Sequence, residues 1–480
     1  MEFHAVILCG KGKALMPFSE GRTTGIPKAL LPVANKPVIE YVLEWCEKAF
    51  FPKITVVCSN ESAEAIKEAV EGYKKMSKSV LGSGEELTTN AKEDKGFSLN
   101  IEVLAVDAET TGEVFYYLYE REVFKPFSQF VLLPCDFITN LPPQVLIEAY
   151  RNKAYSDIGT LFGYRNQLDI EDRKSQIFPK NYTIYKDLPD GKGVFLDYYT
   201  NEDVHFHGAL KIRTQMCWRY PSAVISSRIL NSSIFFGSVE AISSLLRKEE
   251  IDEHYFKHRP LIKLIRDIAR RSWRHSKELE TIGFCVLPYQ ATFCRVNNTP
   301  ALMEANRYMI KKGNSVSLQQ QQQQHNLQQK DKTSAQVGTD SLVGENTHLG
   351  EKTNVKRTII GSNCDIGKRV KLTGCLILNN VQINDDVQLE NCIIGNGVVI
   401  HSKARMVSCN VESTYEVVKN KQAKGETLMC LSINDVTEDA AEFAVSSGEE
   451  SQSSFDDDSE DSLGSFEDER GDNTDGLFAY

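Results

Sequence analysis

An α/β domain with a mainly parallel sheet, then a parallel β-helix, then an acidic tail is the architecture these 480 residues predict. Three observations carry it. Short apolar runs alternate with amphipathic ones over the first 310 residues. Aliphatic residues then recur on a 17-residue period beyond residue 341. Finally, 16 acidic residues and a single basic one, Arg470, lie between Asp435 and Asp475.

Residues 1–310 are read as the first domain. Ala5–Cys9, Ile54–Cys58, Ile101–Val106 and Phe130–Leu133 are short apolar runs that suit buried strands. Between them, Val38–Ala49 sets Ile39, Val42, Leu43 and Cys46 at helical spacing, and Ser62–Tyr73 has the same character. Strand followed by helix, repeated, argues for parallel pairing with helical crossovers. Sheets of that kind bind ligands at the carboxyl ends of their strands.

Residues 311–340 follow as a linker. They include six consecutive glutamines, Gln319 to Gln324, and bury too little apolar surface to offset chain ordering, so the stretch is read as disordered. In 341–420, aliphatic residues step by 6, 6 and 5 from Val343 through Leu349, Val355 and Ile360 to Ile400, and Met406 and Val411 continue the series. Hexapeptide-type repeats of this kind place one inward aliphatic on each side of a three-sided coil, and stacked coils share one core. About four coils are expected, with exposed ends that favour capping by another chain or segment. Cys375, Cys392 and Cys409 share the 17-residue spacing and read as a column of small buried thiols rather than metal ligands. Residues 421–480 are read as a mostly disordered acidic tail.

Composition excludes several classes. The net charge of -11 belongs to the tail, since the rest of the chain is about +4. No basic leader precedes a long apolar run, and no run approaches the roughly 18 apolar residues a membrane span needs. Twelve scattered cysteines form no CxxC pair, which suits a reducing cytosol and gives no metal site.

Chemistry-bearing motifs lie in the first domain. The strand Ala5–Cys9 runs into Gly10-Lys11-Gly12-Lys13, a glycine-spaced turn whose amides and lysines suit phosphate oxygens. Downstream come Pro27-Lys28-Ala29-Leu30-Leu31-Pro32-Val33-Ala34-Asn35-Lys36-Pro37 and Leu133-Pro134-Cys135-Asp136. Further on, the helix-like stretch 263–277 carries Arg270, Arg271, Trp273 and Arg274. That stretch reads either as a surface for an acidic or RNA-bearing partner, or as a core helix with solvated arginines.

Together the loop, the PK block and Asp136 resemble the sugar-nucleotide pyrophosphorylase superfamily. Its members join a sugar 1-phosphate to a nucleoside triphosphate, on a Rossmann-like nucleotidyltransferase-type domain that many follow with a left-handed β-helix. Gly10, Gly12, Leu15 and Pro17 match the first loop of the family signature, Lys28 its PK pair, and Asp136 its metal-binding acid. Three departures bear on activity. Cys9 replaces the first glycine, Lys13-Ala14 stand where the family has Thr-Arg, and no second metal-binding acid is evident late in the domain. Preorganised positive charge is the main catalytic term in such transfers, and losing one donor costs about 100- to 1,000-fold. The resemblance with these departures implies a degenerate, non-catalytic domain without cofactor or metal. Gly10, Lys11, Gly12, Lys13, Lys28 and Asp136 remain as a vestigial nucleotide site, or as residues that only hold the sheet edge together. The alternative is an active sugar-1-phosphate nucleotidyltransferase of the mannose-1-phosphate guanylyltransferase kind.

A narrower resemblance covers nearly the whole chain. The blocks Gly10–Gly12 with Pro27–Pro32, Leu132–Ile138 with Pro142–Leu146, Arg270–Lys277, Glu390–Gly395, Lys424–Leu428 and the acidic end resemble the fungal type of gamma subunits of eukaryotic initiation factor 2B. Membership would imply a non-catalytic, cytosolic subunit of the guanine-nucleotide exchange factor for initiation factor 2. Its partners would be the catalytic epsilon subunit and the alpha, beta and delta subunits in a decamer, with no membrane and no direct nucleic acid contact. About 60 residues follow the coil, too few for the helical-repeat exchange domain of epsilon, so the resemblance is to gamma. A scaffold unrelated to translation is the third reading.

Overall fold

The computed structural model describes residues 2–20, 24–82, 100–125, 127–167, 180–188, 192–248, 253–274, 279–317 and 335–430. The expected disorder of the Gln-rich stretch and of the acidic tail falls mainly on positions outside these. The chain divides into Met1–Met429 and Cys430–Tyr480, and the first unit holds the fold described below.

Ten strands form the main sheet: β1 Phe3–Leu8, β2 Lys53–Cys58, β3 Ile101–Ala105, β4 Gln129–Pro134, β5 Asp157–Arg165, β6 Tyr182–Asp187, β7 Gly193–Tyr199, β8 Val224–Ser226, β9 Ile229–Ser238 and β10 Thr281–Val286. Their order is β8-β6-β7-β10-β5-β9-β4-β1-β2-β3. The half built first along the chain, β3-β2-β1-β4, is parallel throughout, and β5 and β10 are parallel to each other. Strand β9 enters antiparallel between β4 and β5.

Successive residues of β1 serve opposite faces, as a strand dictates. Phe3, Ala5 and Ile7 face one buried cluster, covered by helices α1 Val38–Lys48, α2 Ala63–Gly82 and α4 Pro143–Arg151. Val6 faces the other, covered by α3 Thr111–Glu120 and by a later helix, α5 Leu261–Arg274. With both faces covered, β1 to β4 read as the continuous apolar runs that located them in the sequence.

A long helix, α6 Thr299–Ser317, closes the domain and carries on past residue 310. The coil that follows has three faces of six, six and five short parallel strands, paired at steps of 17 along nearly its whole length. Inward residues are those of the sequence period. Val355, Ile360, Ile366, Leu372, Ile377 and Ile383 are at most 1% exposed. Strands extend to Gln336–Val337 before and Thr427–Leu428 after the 341–420 expected, giving five complete turns rather than about four. The outermost inward positions, Val337 and Ala423, are exposed or small and carried too weak a signal to extend the period.

Each of the three corners repeats a left-handed backbone position every 17 residues. One such column is Asn346, Asn363, Asn380, Gly397 and Thr414; another includes Gly374 and Gly425. Asparagine and glycine tolerate this region best, so polar corners alternate with aliphatic sides. Cys375, Cys392 and Cys409 stack as expected, at most 2% exposed, and the Cys409 amide donates to the Cys392 sulfur at 3.5 Å. Among the described residues no group of three His, Cys, Asp or Glu side chains suits a metal ion.

One face of the coil is not open. Its outward Ile359, Leu376, Leu378 and Ile393 join Leu15, Phe18, Leu31, Val33 and Val38 of the α/β domain in a single buried cluster. Asn35 Nδ2 donates to Ile360 O at 2.8 Å, and Arg307 Nη2 donates to Asn391 Oδ1 at 2.9 Å.

Candidate functional site

Strand β1 delivers the glycine-spaced loop to the carboxyl edge of the sheet. The amide of Cys9 still donates to Val57 O at 2.8 Å, after which the chain leaves the ladder. Gly12 takes the left-handed region, φ 71°, and a Cβ there would stand 3.1 Å from the Lys28 side chain. Glycine is needed at this position because the lysine lies directly over the loop. A one-turn helix, Lys13–Leu15, follows, and Leu15 and Phe18 plug into the cluster shared with the coil. Lys11, Lys13 and Ala14 are exposed. The Cys9 thiol hydrogen-bonds Cys135 at the end of the neighbouring strand, which together with burial pushes its pKa up. A neutral thiol thus stands where the resemblance expects an open glycine.

Lys28 and Asp136 do come together. Lys28 Nζ lies 2.6 Å from Asp136 Oδ2, and Asp136 is wholly buried just past the end of β4. A third residue joins them that the sequence reading did not name. The short strand Phe293–Arg295 pairs antiparallel with Phe137–Thr139 and lays Arg295 against Phe137. Arg295 Nε and Nη2 donate to Asp136 Oδ1 at 3.0 and 2.8 Å, Nη2 also to Oδ2 at 3.0 Å, and Nη1 donates to Ser233 Oγ at 2.6 Å. Its signal was present in Thr292-Phe293-Cys294-Arg295-Val296, an arginine inside an apolar run, which burial allows only when a partner waits.

Electrostatics follow from this geometry. Burial alone raises the Asp136 carboxyl, but Arg295 and then Lys28 outweigh it and hold the pKa at about 2. A carboxylate offers about four lone-pair sites. Four donor contacts fill them here. A divalent cation of the kind the pyrophosphorylase resemblance implies has no oxygen left to take, and would meet two positive charges at contact distance. The residues present do not fit it.

The expected partner surface is corrected by the structure. On α5, Arg271 and Trp273 are buried, and Trp273 Nε1 donates to Leu196 O at 3.0 Å. Arg270 Nε lies 3.0 Å from Asp197 Oδ1, and that carboxylate is 1% exposed. Arg271 reaches towards Glu280, and Arg274 is half-buried. The helix is amphipathic with an apolar side in the core, yet Arg270 is also turned inward, to a carboxylate that lies far away in sequence. Lys277 lies outside the described residues.

Comparison with known proteins supports the architecture. Residues 4–169 match the nucleotidyl transferase family, and residues 321–423 match the left-handed β-helix domain of the eIF2B epsilon subunit. Fold and site therefore define a nucleotidyltransferase-like domain followed by a left-handed β-helix. Over 256 residues the chain is 23% identical to translation initiation factor eIF2B subunit gamma of Schizosaccharomyces pombe, covering 52% of this chain and 49% of that protein. It is also 33% identical over 110 residues to the bifunctional protein GlmU of Methanococcus maripaludis, covering 22% and 26%. The matched segment thus spans about half the length of the first relative and a quarter of the second. These matches support an eIF2B gamma-type nucleotidyltransferase-like protein. Among the described residues no helix is long and apolar enough to cross a membrane.

Proposed function

We propose that this chain is a non-catalytic subunit of translation initiation factor 2B. It supports guanine-nucleotide exchange on initiation factor 2 beside a catalytic epsilon subunit, within a cytosolic decamer that also holds alpha, beta and delta subunits. The observation that carries the non-catalytic part is the saturation of Asp136 by Lys28 and Arg295, which leaves no metal-binding carboxylate where the family needs one. Exposed apolar side chains support an assembled state. Trp218 and Phe206 are 80% and 62% exposed, and Val224 and Ile225 of the sheet-edge strand β8 are exposed as well.

Two measurements test the reading. Incubation of the pure protein with nucleoside triphosphates, magnesium and hexose 1-phosphates should release no pyrophosphate above background. Robust turnover would return the protein to the guanylyltransferase alternative. Purification of the endogenous protein should recover the other initiation factor 2B subunits, and their absence would overturn the assignment to that factor.

A further inference from the structure

Two faces of the β-helix lie open, and they differ in charge. On the face built from Asn354–Lys356, Lys371–Thr373, Gln388–Glu390, Arg405–Val407 and Gln422–Lys424, the side chains of Lys356, Lys371, Arg405 and Lys424 point outward and are exposed. None of the four makes an ion pair among the described residues. Glu390 is the one acid among the outward strand positions of that face. The face that contains His348–Leu349, Asp365–Ile366, Gln382–Ile383, Val399–Ile400 and Glu416–Val417 carries no lysine or arginine on its strands. The third face is covered by the α/β domain. Charge placed only for solubility has no reason to avoid one open face and crowd the other.

We propose that the basic face is a docking surface for an acidic polypeptide segment of a partner protein. Register places Lys356 and Lys424 in one column four coils apart, and Lys371 and Arg405 in the adjacent column two coils apart. At about 4.8 Å per coil the first pair spans about 19 Å and the second about 10 Å. An extended peptide of about six residues covers that length. Successive charges along the face lie about one screening length apart at physiological salt, so each carboxylate of such a peptide feels the nearest one or two of them. Single-stranded nucleic acid fits less well. The face offers no aromatic ring for base stacking.

The test uses the full chain and fluorescence anisotropy of two labelled probes, a peptide of alternating glutamate and serine and an oligouridylate of equal charge. The double variant Lys371→Glu/Arg405→Glu is compared with Lys211→Glu/Lys257→Glu, which makes the same change in net charge on exposed residues of the α/β domain. All proteins keep the same acidic C-terminal stretch, so they differ only at the substituted positions. The peptide should bind the unaltered chain, with affinity falling as salt rises from about 50 to 300 mM. The first variant should weaken binding by about tenfold, the second by less than about twofold, with unchanged thermal unfolding for both. Absence of peptide binding, equal loss in the two variants, or tighter binding of the oligouridylate would overturn the proposal.

Discussion

Arg295 grips Asp136 with a two-nitrogen fork, Nη2 lying 2.8 and 3.0 Å from the two carboxylate oxygens and Nε 3.0 Å from one of them, around a carboxylate that is itself wholly buried. Removing Arg295 leaves the buried carboxylate to Lys28 alone, at a cost of up to the about 3–5 kcal/mol of a bare buried charge. Arg295→Met should therefore lower the unfolding free energy by up to that amount in chemical denaturation. Adding Asp136→Leu and Lys28→Met to it should recover most of the loss, because three apolar side chains replace the cluster without orphaning any of its charges. A triple variant no more stable than Arg295→Met would show that the cluster is not the unit described.

The acid stability of the protein should fall in two steps. His4 is buried between β1 and β2 with Nε2 2.8 Å from Thr55 Oγ1; burial, helped by Lys53, lowers its pKa to about 4. A depressed histidine contributes stability that is present above its unfolded value of about 6.5 and lost as pH falls to about 4. Asp136, held at about 2, contributes above its unfolded value of about 3.9 and loses that contribution as pH falls towards 2. Denaturant titrations across this range should show His4→Gln flattening only the upper limb and Asp136→Asn only the lower.

Much of this was legible beforehand, and the reason is periodicity. Inward positions from Val343 to Val411 could be read one by one, because a coil with one aliphatic per side leaves a period that nothing else mimics. The loop Gly10–Lys13, Lys28 and Asp136 were legible because residue types cluster along the chain. Arg295 was not, since it lies 159 positions from the carboxylate it neutralises. The inward turn of Arg270 was hidden for the same reason. Its partner Asp197 sits on β7, and charge pattern along one helix cannot say where a distant carboxylate will be.

A test of that second pairing separates a structural helix from a recognition surface. Asp197 is pushed up by burial and opposed by Arg270, and it also donates structure by accepting from the Tyr198 amide and the Tyr199 hydroxyl. Arg270→Met should cost about 3–5 kcal/mol in chemical denaturation, as expected for orphaning a buried carboxylate. A residue that served only a partner would change stability by less than about 0.5 kcal/mol. The smaller value would restore the surface reading.

Restoring the family's arginine should not restore chemistry. Ala14 is exposed at the loop position where the pyrophosphorylase signature carries its charged donor, so Ala14→Arg is sterically free to present a guanidinium to a triphosphate. One such donor is worth about 100- to 1,000-fold in rate where the rest of the site exists. Here the carboxylate that would hold the metal is saturated by Lys28 and Arg295, and the added charge has no metal-bound phosphate to act on. Pyrophosphate release by Ala14→Arg should stay at the background of the unaltered chain. Measurable turnover from that single change would mean that Asp136 can release its cations, and would place the loss of activity in the loop instead.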